Sequence, residues 1–130
     1  MFITMVLQID RLSRTPIYEQ IVVRFTEQVA AGLVSENERL PSVRELSVSL
    51  GINPNTIQKA YLELDRRGLI TSLPGRGSFV SKDAAALVKA EKLGRLDELT
   101  ALAKELYAAG ATEEDLVAAV KNAIRKDENV

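Results

Sequence analysis

Arg39-Leu-Pro-Ser-Val-Arg-Glu-Leu46 and, five residues on, Gly51-Ile-Asn-Pro-Asn-Thr-Ile-Gln-Lys-Ala-Tyr61 carry two helix starts in close succession, and their spacing decides the fold. Ser42-Val-Arg-Glu45 is a capping box. The serine hydroxyl suits the amide three residues on, and the glutamate can reach back to the serine amide. Pro41 precedes the box and Gly51 follows it, so a short helix over Val43–Leu50 is predicted, with Val43, Leu46 and Leu50 facing inward. Asn53 then suits an N-cap and Pro54 a first helical position, where a missing N–H costs nothing. Ile57, Ala60, Tyr61 and Leu64 share one face of that next helix. Arg66 and Arg67 fall in its last turn, where cations favour the dipole, and Gly68 ends it. Two short helices joined by so few residues, one of them glycine, form a helix-turn-helix.

Upstream, Thr15 suits an N-cap and Pro16 a first position. Ile17, Ile21, Phe25 and Val29 recur every fourth residue, and Gly32 is a natural stop. A first helix over 16–31 is expected. Residues 2–9 are apolar and β-branched, and read as a short strand or a packing arm. Downstream, 69–72 and 78–81 read as strands about the turn Pro74-Gly75-Arg76-Gly77, giving a β-hairpin with a basic tip. A helix, a helix-turn-helix and such a hairpin, in that order, make a winged helix-turn-helix. The class is mainly α with a small β component.

From Asp83 the character changes. Residues 84–109 are rich in Ala, Leu, Lys and Glu and predict one long helix, with Gly94 inside it at a cost of about 1 kcal/mol relative to alanine. Gly110 stops it. Thr112-Glu-Glu-Asp115 opens a last helix with the stripe Leu116, Val117, Val120, Ile124, and the charged end, 126–130, is expected to fray. Two parts follow: residues 10–82, a winged helix-turn-helix, and residues 83–130, a short two-helix tail.

Composition narrows the function. The 130 residues include no cysteine and no histidine. Disulfides, thiol nucleophiles, cysteine-bound metals and every histidine-dependent triad are excluded. No paired carboxylates stand at a glycine-rich, pocket-like turn. An enzyme is not expected, nor a metal or cofactor. No apolar run approaches the roughly 18–20 residues that cross a bilayer. The apolar start lacks the basic region and small-residue cleavage site of a signal peptide, so a cytoplasmic protein is expected. The net charge of −1 hides an asymmetry. Residues 39–82 carry seven basic side chains against three acidic, whereas residues 83–130 carry seven against ten. A basic segment joined to an acidic one suggests that part of the chain meets a polyanion.

If Ile57, Ala60, Tyr61 and Leu64 face the core, Asn55, Gln58, Lys59 and Leu62 lie on the other side of the third helix. Its first turns would enter a DNA major groove. Asn and Gln can pair adenine in a bidentate manner. Asn53 and Thr56, at the first turn, are placed for phosphate or base contacts beside free N–H groups. Ser42 and Arg44 begin the second helix, and Arg44 points away from the core, to a phosphate or a guanine. Arg76, between Gly75 and Gly77, can bring a guanidinium close to the duplex. Each has a plainer reading. Asn53 and Pro54 start a helix without any DNA. Asn55, Thr56, Gln58 and Lys59 suit a solvated face. Gly75 and Gly77 are turn residues first, and Tyr61 is read as core.

The segments 39–46 and 51–61, with Gly68-Leu-Ile70 and Gly75-Arg-Gly-Ser-Phe-Val80, together resemble the DNA-binding domain of the GntR family of bacterial transcription factors. The Asn-Pro-Asn-Thr version, Pro16-Ile-Tyr-Glu-Gln-Ile21 and the short tail resemble its YtrA subfamily. The resemblance covers nearly the whole chain. It implies a sequence-specific transcriptional regulator, a repressor, that binds an inverted-repeat operator as a homodimer. Pro54 and Gln58 stand where many members carry guanine-reading arginines. The members' base preferences therefore do not carry over, whereas Arg44, Asn55, Thr56 and the wing glycines do. The tail would be the dimerisation unit, through Leu93, Leu96, Leu99, Leu102, Leu106, Leu116 and Val120. The subfamily lacks a large ligand domain, so an effector would need a small cavity near that interface, or none is needed. The competing reading is a winged-helix protein-interaction module that does not touch DNA, against which the basic excess in 39–82 argues.

Overall fold

The computed structural model describes residues 8–128. The arm read over residues 2–9 thus lies almost wholly outside the described residues. The elements are α1 (Ile17–Ala30), α2 (Val43–Leu50), α3 (Pro54–Arg66), β1 (Ile70–Leu73), β2 (Gly77–Val80), α4 (Ala84–Leu93), α5 (Leu96–Ala108) and α6 (Glu113–Glu128). They fall into two compact units, Met1–Glu91 and Lys92–Val130.

In the first unit the predicted apolar stripes meet. Ile21, Phe25 and Val29 of α1 pack with Ile57, Ala60, Tyr61 and Leu64 of α3, all buried. Leu46 of α2, Leu40, Ile52, Leu69 and, from the hairpin, Ile70 and Val80 close the core. Ala84 and Val88 of α4 are buried in the same core. The starts of α2 and α3 carry the caps their residues allow. Ser42 Oγ accepts the Glu45 amide at 3.0 Å, and Asn53 Oδ1 accepts the Asn55 amide at 2.8 Å. At the end of α3 the Gly68 amide donates to Asp65 O and the Leu69 amide to Leu64 O, a Schellman closure.

Three expectations are corrected. The start of α1 is not capped by Thr15. Pro16 is the cap residue, no side chain closes it, and the helix runs Ile17–Ala30. The amide of Gln20 instead ties down the incoming chain, its Nε2 donating to Thr15 O and Asp10 O while its Oε1 accepts the Asp10 amide. The single helix over 84–109 is two, α4 and α5, broken at Gly94-Arg95. Glycine weakens the helix there, and Asp97 and Glu98 suit a fresh N-terminus, where carboxylates favour the dipole. The last helix also runs to Glu128, into the stretch expected to fray.

The hairpin pairs Ile70 with Val80, Thr71 with Phe79, Ser72 with Ser78 and Leu73 with Gly77. A further edge escapes a periodicity reading. The Asn37 and Leu40 amides donate to Val80 O and Ser78 O, and the Val80 amide donates to Glu38 O. Arg39 thereby bridges Phe79 as an antiparallel partner. The segment 37–40 is an edge of the wing before the chain enters α2.

In the second unit, α6 opens with a reciprocal cap. Thr112 Oγ1 accepts the Asp115 amide and Asp115 Oδ2 accepts the Thr112 amide. Hydrogen bonding to Thr112, its backbone amide foremost, holds the Asp115 carboxyl below its ordinary pKa. No residue of α5 is buried. Leu99, Leu102 and Leu106 of α5 with Leu116, Val117 and Val120 of α6 line an apolar groove of about 580 Å3.

Candidate nucleic-acid interface

Tyr61 fixes the start of α2 against α3. It is 5 % exposed, and its hydroxyl donates to Pro41 O at 2.7 Å. Burial, with Glu45 nearby, pushes that hydroxyl's pKa well up, so it stays a donor. The backbone from the wing edge at Arg39 to the first turn of α2 is therefore held to both the hairpin and α3. Ser42 and Arg44 sit at the end of this strip. Arg44 is exposed and has no partner among the described residues, a cation left for an outside acceptor.

Asn53, Asn55 and Thr56 form the first turn of α3. Its amides are not free as the sequence suggests. Pro54 has none, Asn53 Oδ1 takes the Asn55 amide, and Asn53 O accepts those of Thr56 and Ile57. An anion here would be met by side chains, and Asn53 acts as a cap. Asn55 and Gln58 are exposed, each with a side-chain amide that bonds nothing among the described residues. Lys59 is placed apart from them, its ammonium 4.1 Å above the Tyr18 ring of α1. That cation–π contact joins α1 to α3. Leu62, 59 % exposed, continues the outer face of α3, on the side where the helical spacing places it.

At the wing, the Arg76 amide donates to Leu73 O at 2.9 Å. Pro74 and Gly75 are the central residues of that turn, and Gly75 has φ +74°, as the third position of a type II turn requires. Gly77 is needed for two reasons. Its φ is +111°, and a Cβ there would stand 3.1 Å from Nε of Arg39. The Arg39 guanidinium thus lies against the wing backbone close to Arg76. The sequence pattern could not show this, because a one-residue bridge leaves no periodic trace. Ser72 and Ser78 hydroxyls pair across the wing at 3.0 Å, and those of Thr71 and Ser81 at 3.1 Å.

Arg66 and Arg67 are tied up. Glu63 accepts from Arg66 Nε and Nη2 and from Arg67 Nε, and Arg67 Nη1 lies 3.9 Å from Glu91. These bonds, Arg66's foremost, pull the Glu63 carboxyl from 4.5 to about 2. A carboxyl with a lowered folded pKa stabilises the fold above its unfolded value and loses that contribution as pH falls through the folded one. The melting-temperature advantage of the wild type over Glu63→Gln should be full above about pH 5 and vanish between about 4.5 and 2. A pH-independent difference in thermal scans would show that the ion pairs contribute nothing.

Among the described residues no group of carboxylates is placed to hold a metal, and no helix is long and apolar enough to cross a membrane. Comparison with known proteins accounts for the arrangement. Residues 17–80 match the family model "Bacterial regulatory proteins, gntR family". The chain is 41% identical over 111 residues, 85% of either protein, to the HTH-type transcriptional repressor YtrA of Bacillus subtilis. A transcriptional regulator from Oenococcus oeni has a solved structure similar to this one, with TM-score 0.74 and 33% identity over 89% of this chain and 97% of that one. The DNA-binding domain of AraR, solved in complex with operator ORX1, matches with TM-score 0.51 and 30% identity over 58% of this chain and 93% of its own. The chain belongs to the GntR family and is a DNA-binding transcriptional regulator rather than an enzyme.

Proposed function

We propose that the protein is a repressor that binds an inverted-repeat operator as a homodimer in the bacterial cytoplasm. Residues 10–82 form the DNA-binding part. Asn55, Thr56 and Gln58 of α3 face base edges in the major groove, Ser42 and Arg44 meet the backbone or a guanine, and Gly75-Arg76-Gly77, with Arg39 beside them, approach the duplex from the wing. Residues 83–130 form the dimerisation part, through Leu93, Leu96, Leu99, Leu102, Leu106, Leu116 and Val120. The observation that carries the two-fold reading is the apolar face of α5 and α6, which the unit leaves uncovered: Leu96, Leu99, Leu102, Leu106 and Val120 are each 42–57 % exposed, as is Leu93 at the end of α4, and Leu116 is half-buried. Apolar faces of this kind mark interfaces, and a two-fold copy is the commonest partner. The relative named as a repressor and the operator-bound relative support the DNA side of the reading.

Selection from a random-sequence duplex pool tests it. The expected winners are inverted repeats whose half-sites are centred about one helical turn, 10–10.5 base pairs, apart or a multiple of it. Enrichment of single half-sites alone would contradict the symmetric dimer. No enrichment at all would favour the protein-interaction module.

A further inference from the structure

The turn between α2 and α3 sets where the recognition helix begins, and a residue outside the family-matched segment holds it. Residues 10–15 form a strap across the first unit. Gln20 fastens one end through both its amide atoms to Asp10, and Asp10 Oδ1 accepts the Leu12 amide. From that anchor Arg11 reaches forward by forty residues of sequence. One guanidinium nitrogen, Nη2, donates to Leu50 O at 2.8 Å and to Gly51 O at 3.2 Å. The same nitrogen lies 3.5 Å from where a Cβ of Gly51 would stand.

Those two carbonyls belong to the end of α2, where helix geometry leaves acceptors without intrahelical donors and negative dipole charge gathers. The remaining groups of the turn are taken as well. The Ile52 amide donates to Ser47 O, and Ser47 Oγ donates to Ile52 O at 2.5 Å. Asn53 then caps α3. With Arg11 in place, the carbonyls from Leu50 to Asn53 are each engaged. Without it, the two at the hinge of the helix-turn-helix are left to water, and the direction in which α3 leaves the turn is less fixed.

We propose that Arg11 is a positioning residue for operator recognition: it locks the α2–α3 turn and so sets the angle of α3, without touching DNA. The proposal rests on the DNA-binding reading above. It differs from a phosphate contact in what it should do. A positioning loss penalises the selective complex, in which α3 must fit base edges, and spares the loose electrostatic one.

The test uses the whole chain with Arg11→Ala, Arg11→Lys and Gln20→Ala. Each is measured on the duplex the wild type selects and on a scrambled duplex of equal length, across a salt series. Arg11→Ala is expected to weaken the selected duplex about tenfold, the scale of losing a charge-assisted hydrogen bond. Affinity for the scrambled duplex and the salt slope should stay unchanged. Arg11→Lys should fall between, because an ammonium lacks the planar fork of donors. Gln20→Ala should act in the same direction, and the double variant Arg11→Ala with Gln20→Ala should be no worse than Arg11→Ala alone, because both cut one strap. In the absence of DNA, the Ile52 amide should exchange faster in Arg11→Ala. Equal weakening on both duplexes with a salt slope reduced by about two per dimer would make Arg11 a phosphate contact and overturn the proposal. A lowered melting temperature with unchanged operator affinity, or no change of any kind, would overturn it too. If the wild type selects no duplex, the DNA reading fails, and the exchange comparison still decides whether Arg11 fixes the turn.

Discussion

Replacing Leu99 and Leu102 together by aspartate is expected to turn the proposed dimer into a monomer and to cost about a hundredfold or more in affinity for a two-half-site duplex. The two side chains are three residues apart on α5, 48 % and 50 % exposed, and both line the apolar groove shared with α6. Carboxylates there could be covered by a second copy only by burying charges without partners, which is strongly unfavourable. A monomer engages one half-site at a time. It forgoes the effective concentration that makes binding of the second half-site intramolecular, which is worth roughly 10²–10⁴ in avidity. Affinity for a single half-site should change little, since the first unit has its own core, including Ala84 and Val88 of α4. Light scattering and titration on one- and two-half-site duplexes check both parts. A variant that stays dimeric would move the interface off the α5–α6 face.

How far the sequence shows such sites depends on the kind of interaction. Local devices are legible. Ser42 and Asn53 cap where their spacing says, and the fourfold repeat of Ile21, Phe25 and Val29 names the face of α1 that is buried. The wing turn is legible from Pro74 and Gly75 alone. The α4–α5 break was hidden because Leu93, Leu96 and Leu99 keep a helical spacing straight across Gly94, so periodicity argued for continuity where backbone entropy argued against it. Lys59 illustrates another gap. A helical wheel puts it opposite the core, and only the packing of α1 on α3 shows that Tyr18 is waiting for it. Arg11 and Arg39 were illegible for a third reason. Each acts on backbone far away in sequence, on Leu50 and Gly51 or beside Gly77, and such contacts follow no period.

Operator affinity is expected to fall roughly 10³–10⁴-fold between 50 and 200 mM salt, although the chain as a whole is slightly acidic. Net charge is the wrong quantity, because DNA meets one face of one unit. Of the seven basic residues in 39–82, Arg66 and Arg67 are held by Glu63, and Lys59 is seated on Tyr18. Arg44, Arg76 and Lys82 are exposed, and Arg39 lies exposed against the wing. Three or four phosphate contacts per subunit give about six to eight per dimer, and a slope of log K against log salt near −0.9 per contact, about −5 to −7. Arg76→Ala should weaken every duplex alike and shallow the slope by about two per dimer. Asn55→Ala should leave the slope alone, cost about 1–3 kcal/mol and relax preference at one position of each half-site. The two substitutions therefore separate the part of the interface that holds DNA from the part that reads it. A slope near zero would mean that these cations do not face the duplex at all, and the protein-interaction reading would then take the place of the operator-binding one.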